Sequence, residues 1–129
     1  MIVRTIRLDR RRPPLDFLAE AREADVDLYA KLEDLIERVW LERNPPPRLP
    51  RDAVDNLGEG LLELRARGKE KWGRIFYTYG DDHCIVLLDG RFKDQRRLRR
   101  SDLMEIRELL DGYRRGEIAT VVAWETKPD

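Results

Sequence analysis

Leu61-Leu-Glu-Leu-Arg-Ala-Arg67, Trp72-Gly-Arg-Ile-Phe-Tyr-Thr-Tyr79 and Cys84-Ile-Val-Leu-Leu88 decide the fold. In the first stretch Leu62, Leu64 and Ala66 alternate with Leu61, Glu63, Arg65 and Arg67, the two-residue period of a β-strand. The second is rich in aromatic and β-branched residues. Its alternation sends Trp72, Arg74 and Phe76 to one face and Ile75, Tyr77 and Tyr79 to the other, and we read the latter as the more buried set. The third is a nearly unbroken apolar run, as expected of a strand covered on both faces. Gly68-Lys-Glu70 and Gly80-Asp-Asp82 are turn signals. The short connections imply an antiparallel meander over residues 60–90.

Upstream, Ile2 to Leu8 alternates loosely as a short strand, with Asp9 to Pro14 as the turn that ends it. Leu15 to Ala24 reads as a short helix with Leu15, Leu18 and Ala21 on one face. Asp25 or Asp27 can cap a second helix, in which Leu28, Leu32, Leu35, Ile36 and Val39 recur through about Arg43. Pro45-Pro-Pro-Arg-Leu-Pro50 stops it, and we read this stretch as a stiff connector. Downstream, Ser101 or Asp102 can open a third helix, and Asp102 with Glu105 has capping-box spacing. Leu103, Ile106, Leu109, Leu110 and Tyr113 form its apolar stripe, and Gly116 is a stop signal. Ile118 to Trp124 is an extra strand or tail whose partner the sequence does not reveal.

The plan is one α+β domain over 1–129: strand and helical hairpin in 1–43, meander in 60–90, helix in 101–116, and a tail or extra strand in 117–129. A small antiparallel sheet, made of the N-terminal strand and the meander, carries the helical hairpin on one face, with a C-terminal helix. The other face would be free for basic side chains.

At 129 residues the chain supports one core. It is 41% hydrophobic and 40% charged, with 26 basic and 26 acidic side chains, so total charge does not announce a nucleic-acid partner. Its distribution says more: between Arg91 and Arg100 the bases Arg91, Lys93, Arg96, Arg97, Arg99 and Arg100 face Asp94 alone, whereas acids dominate from Asp16 to Glu42, an asymmetry that can create a local positive field on a neutral molecule. The only cysteine, Cys84, rules out an intrachain disulfide, and one cysteine with one histidine, His83, cannot make a zinc site of the usual kind. We expect Cys84 to be inert packing and His83 to be an exposed strand end, and no cofactor is expected. No apolar run approaches the roughly 18 residues of a membrane span. The charged start Met1-Ile-Val-Arg-Thr-Ile-Arg-Leu8 is unlike a signal peptide, and we expect a cytoplasmic protein.

Three segments resemble the RelE/HigB superfamily of toxin messenger-RNA endonucleases, in its phage-derived HigB-like branch. Leu57-Gly-Glu-Gly-Leu-Leu-Glu-Leu-Arg65 is similar to that branch's "L-x-x-G-L-x-E-L-R". Gly73-Arg-Ile-Phe-Tyr77 is similar to "Y-R-I-F-Y", and Ile85-Val-Leu-Leu-Asp-Gly-Arg-Phe-Lys93 to a strand that ends in "G-F-x-K-K". Order and spacing agree from about Leu28 to Gly116. Three departures stand out: Gly73 replaces an aromatic residue, Asp94 replaces a second lysine, and Arg100-Ser-Asp102 replaces a threonine-proline.

The resemblance implies a toxin of a type II toxin-antitoxin system, a metal-independent, ribosome-associated mRNA endonuclease silenced by a helix-turn-helix antitoxin from an adjacent gene. Metal-free cleavage needs the ribose 2′-hydroxyl held for attack on its phosphodiester, with charge neutralised on the phosphoryl oxygens. By position Arg74 resembles the family's phosphate-binding arginine, Arg65 a basic residue of the neighbouring strand, and Lys93 the start of the basic segment; these are the catalytic candidates. Arg67, Lys71, Arg91, Arg96, Arg97, Arg99 and Arg100 are RNA-binding candidates, including ribosomal RNA. Glu63 can serve as general base if an arginine keeps it ionised, and Tyr77 as an acid only with a much lowered pKa. The plainer reading is that Arg65 and Arg74 form ion pairs with Glu63 or Glu59 on a solvated face. The alternative function is a catalytically inactive phage or prophage module that binds RNA or protein on the same fold.

Overall fold

The structure is a computed structural model and describes residues 2–42, 53–81, 84–93 and 98–125. Six strands form one sheet in the order β2-β3-β4-β5-β1-β6: β1 is Ile2–Arg7, β2 Val54–Gly58, β3 Leu61–Arg67, β4 Trp72–Tyr79, β5 Cys84–Phe92 and β6 Ala119–Glu125. The helices are α1 (Pro13–Ala24), α2 (Val26–Glu42) and α3 (Arg100–Arg114). All neighbouring strands run antiparallel except β1 and β5, which pair in parallel with Ile2 opposite Cys84. The α+β plan, the meander, the hairpin of helices and the C-terminal helix all stand, and the tail is a strand that pairs with β1.

The alternation in β3 sends its side chains where the two-residue period requires. Leu64 and Ala66 join the core beneath α1 and α2, with Val3, Ile75, Tyr77, Ile85 and Leu87 beside them. Leu61 points the other way, into a second core with Ile6, Phe76, Cys84, Val86, Leu88, Ile106 and Leu110. Helix α3 therefore packs on the face opposite the hairpin, and the expectation of a free face is corrected. The apolar stripe of α3 covers Phe76 and Leu88, so Arg74, Phe76 and Thr78 are as enclosed as Ile75 and Tyr77. Tyr79, expected in the buried set, is instead 38% exposed.

Several local expectations shift for physical reasons. Helix α1 begins at Pro13-Pro14 rather than at Leu15, because a first-turn residue needs no amide donor. Strand β2 went unread because Asp55, Asn56 and Gly58 resemble a turn; Leu57 to Leu61 is two strands joined through Gly58, Glu59 and Gly60, all at positive φ. Strand β5 runs on to Phe92, so the basic segment starts inside the sheet. Gly116 ends α3 as expected: its φ is 72°, and the amide of Glu117 bonds the Gly112 carbonyl.

Gly73, where the resembled motif has an aromatic residue, faces the hairpin. A Cβ there would lie 3.1 Å from both Phe17 and Leu28, so those side chains already fill the space. On the next strand a Cβ at Gly90 would lie 2.3 Å from the Phe17 ring, and Phe17 packs edge-on to Phe92. The aromatic bulk comes from α1 instead of from β4.

Asp25 caps α2 and fastens it to the sheet. Its Oδ1 accepts the Leu28 amide at 3.2 Å, and its Oδ2 accepts the Glu70 and Lys71 amides at 2.8 and 3.0 Å. A Cβ at residue 68 would strike this carboxylate at 2.3 Å, which explains Gly68 in the β3–β4 turn. The bonds from the Glu70 and Lys71 amides hold the Asp25 carboxyl well below the usual carboxylate range.

Candidate nucleic-acid interface

The face that carries α3 has a second, charged half. Register pairs Arg65 with Arg74 and Arg74 with Arg91, so three guanidinium side chains form one row across β3, β4 and β5. Directly opposed side chains in such a ladder lie about 4.5–5.5 Å apart at Cβ. One row nearer to α3, Glu63, Phe76 and Asp89 are paired in the same way. One row farther, Arg67 pairs with Trp72, and the Lys93 amide bonds the Trp72 carbonyl at 2.8 Å. A bulge between Phe76 and Tyr77 lets Leu88 and Asp89 share this face, so the β5 acid and arginine come into line.

The acids determine how each arginine is held. Arg74 Nη1 lies 3.2 Å from Glu63 Oε2 and Arg65 Nε 3.4 Å from Glu63 Oε1, so both arginines converge on one carboxylate. Glu63 is 3% exposed and Arg74 4%. The plainer expectation of ion pairs with Glu63 is met, but the pair is enclosed rather than solvated. Burial pushes the Glu63 carboxyl above its ordinary value, against the opposing pull of Arg74, Arg65 and Lys93. The Arg65 Nε, although within ion-pair range of Glu63, has no hydrogen-bond partner.

Arg91 is clamped instead. Its guanidinium reaches Asp89 at 2.9 Å, Asp102 at 2.7 Å and Glu105 at 2.8 Å. Ser101 or Asp102 was expected to cap α3, but no side chain caps that helix and Arg99 occupies the cap position. The three-residue spacing of Asp102 and Glu105 puts both on one helical face, where they grip the strand arginine. Three acids satisfy Arg91, so it fixes the N-terminal end of α3 to the sheet.

The remaining predicted residues divide between the two faces. Arg67 and Lys93 flank Trp72, with the Arg67 Cζ 5.5 Å and the Lys93 Nζ 5.0 Å from the ring centroid. Lys71 lies on the hairpin side, its ammonium 5.4 Å from the Phe92 ring, away from the arginine row. Arg99 and Arg100 are exposed at the start of α3. Arg96, Arg97, Asp94 and His83 lie outside the described residues. Tyr77 is buried in the core beneath α1 and α2, on the opposite face from Glu63. Cys84 is buried packing. Of the strand aromatics Trp72, Phe76, Tyr77 and Tyr79, whose rings are of a kind that could stack bases, Phe76 and Tyr77 are buried and Trp72 shares the face of the arginine row.

Among the described residues no cluster of His, Cys, Asp and Glu side chains is arranged to hold a metal, and no helix is long and apolar enough to cross a membrane. A groove of about 960 Å³ lies on the hairpin side. Glu23, Glu33 and Glu37 line it against Arg22 alone, the wrong sign for RNA.

The sequence pattern of one family, described as "Phage derived protein Gp49-like (DUF891)", matches residues 19–111. The chain belongs to that family. The Gp49-like match runs from α1 into α3 and contains the whole arginine row and Glu63, but not β1 or β6. It agrees with the phage-derived branch that the three strand motifs resemble. No curated protein matches the chain.

Proposed function

We propose that this Gp49-like protein is the toxin of a type II toxin-antitoxin system and cleaves messenger RNA on the ribosome without a metal. The supporting observation is the convergence of Arg65 and Arg74 on Glu63, with Lys93 near enough to act on the same carboxyl. An incoming phosphodiester competes with Glu63 for Arg65, whose side chain is 25% exposed. Once the guanidinium turns to the phosphate it neutralises the phosphoryl oxygens together with Lys93. The carboxylate, still aimed by Arg74 and basic for its type because it is buried, takes the 2′-hydroxyl proton as the oxygen attacks phosphorus; the P–O5′ bond breaks, leaving a 2′,3′-cyclic phosphate and a 5′-oxygen that takes a proton from water. Arg74 is too enclosed to be the primary phosphate contact. It is a positioning residue that aims Glu63.

Arg67, Arg99 and Arg100 extend the positive surface toward flanking RNA, Arg96 and Arg97 belong to the same basic segment, and Lys71 serves RNA only from the hairpin side. The cytoplasm is the expected compartment, and a helix-turn-helix antitoxin the expected partner. The test is induced expression of the wild type beside Arg65→Ala and Glu63→Gln, with messenger-RNA ends mapped. Wild-type induction should stop growth and produce new ends within coding regions, and both variants should relieve this by at least about 100-fold in cleavage. Folded, soluble wild type that neither slows growth nor produces ends overturns the reading.

One observation favours a second reading, a binding module without catalysis. The Glu63–Arg74 pair is shut away from solvent, which suits a structural brace as well as a reactive pair. That module would bind RNA in a salt-sensitive way and leave every transcript intact.

A further inference from the structure

We propose that Trp72 is a stacking platform for one nucleobase of single-stranded RNA, beside the phosphate held at Arg65. The inference rests on the RNA reading and adds the site that takes a base. Trp72 is 41% exposed although it stands within the sheet, while Phe76, four residues along the same strand face, is wholly buried under α3. An indole is a large apolar surface that folding normally hides, and here α3 stops short of it. The Arg67 Cζ and the Lys93 Nζ lie over the ring, 5.5 and 5.0 Å from its centroid, so a base stacks as one of these cations moves off the ring to a phosphate.

That geometry fits one nucleotide unit. Trp72 and Arg74 lie on one face two residues apart, roughly 7 Å along the strand. Arg65 is opposite Arg74 and Arg67 is opposite Trp72. A phosphate at Arg65 therefore leaves its sugar and base directed at the indole, and the next phosphate falls to Arg67 or Lys93. Stacking on an indole accepts any base, because each has a π-face; it gives grip and register rather than sequence choice. Larger purine faces should be held better than pyrimidines. Among the described residues no other exposed aromatic shares the arginine row: Tyr79 is on the hairpin side, edge-on to Tyr77.

The test measures binding of a short adenine-rich RNA, 2′-O-methylated throughout so that it cannot be cut, to the full chain by fluorescence anisotropy. Trp72→Leu should weaken binding at least about fivefold with an unchanged slope of log Kd against log salt, whereas Trp72→Phe should stay within about threefold. Arg65→Ala should lower that slope. An RNA with one abasic position should bind the wild type at least about fivefold more weakly than the intact strand, and a series with the abasic site moved base by base should show one sensitive position. Trp72→Leu should be blind to that position. Wild-type affinity retained in folded Trp72→Leu, or equal abasic penalties in wild type and variant, overturns the platform while leaving the RNA reading in place. A wild type that binds no RNA at all overturns the functional reading and the platform with it.

Discussion

Asp25 and Glu63 are both buried acids, yet their surroundings push their carboxyl groups in opposite directions. At the corner of α2 and the β3–β4 turn, Asp25 is satisfied by backbone amides, which cannot turn away. In the arginine row, Glu63 is held by the guanidinium groups of Arg65 and Arg74, and the loss of water outweighs their attraction. An acid fixed to the backbone locks the fold. An acid held by guanidinium groups can be given up when a phosphate arrives, and that distinguishes a site from a fastening.

The largest effect should come from Arg74→Ala, which leaves Glu63 enclosed without its closest partner. We expect a loss of about 3–5 kcal/mol in urea titration, most of it recovered in the double variant Arg74→Met with Glu63→Leu. A loss below about 1 kcal/mol would mean the pair is open to water, and the contrast with Asp25 would vanish. Next is Asp25→Ala, which strands the amides of Leu28, Glu70 and Lys71. Its thermal midpoint should drop by several degrees while RNA affinity holds, and a parallel loss of RNA binding would merge the two regions into one.

Carboxyl carbon NMR titration sharpens the comparison directly. Asp25 should titrate below its ordinary 3.8 and Glu63 above its ordinary 4.5. The signs for stability then differ. Asp25, depressed in the fold, contributes stability that is present above pH 3.8 and lost as pH falls through its folded value. Glu63, raised in the fold, contributes stability that is present below pH 4.5 and lost as pH rises through its folded value. Asp25→Asn should flatten the acid limb of a stability-against-pH curve; an unchanged limb would refute the assignment. The smallest effect belongs to a solvated pair: breaking Arg38–Asp34 with Asp34→Ala should change stability by no more than about 0.5 kcal/mol.

The strands were legible because period two is a strong signal: the two sides of Leu61–Arg67 are those its alternation assigns. The side taken by α3 was harder to read, since an apolar stripe shows that a helix packs but not on which face. Two clues were present, the apolar run of β5 and Phe76 beside Arg74, and each needed cover on the second face. Capping-box spacing at Asp102 and Glu105 was real, but it served Arg91, because a same-face pair suits either role. Arg65, Arg74 and Lys93 were singled out by register with a resembled motif, and what the structure adds is that Arg65 and Arg74 meet at Glu63. The enclosure of Arg74 depends on tertiary packing and leaves no mark in the sequence.

The placement of β1 has a further consequence. It comes earliest of the six described strands, yet it is sandwiched between β5 and β6, the last two of them in chain order. During synthesis its two hydrogen-bonding edges stay unsatisfied until β5 and β6 have emerged, so β1 waits through β2, β3 and β4 for its neighbours. A polypeptide interrupted before Ala119 would keep the arginine row of β3–β5 but leave one side of β1 bare, an invitation to pair with another chain.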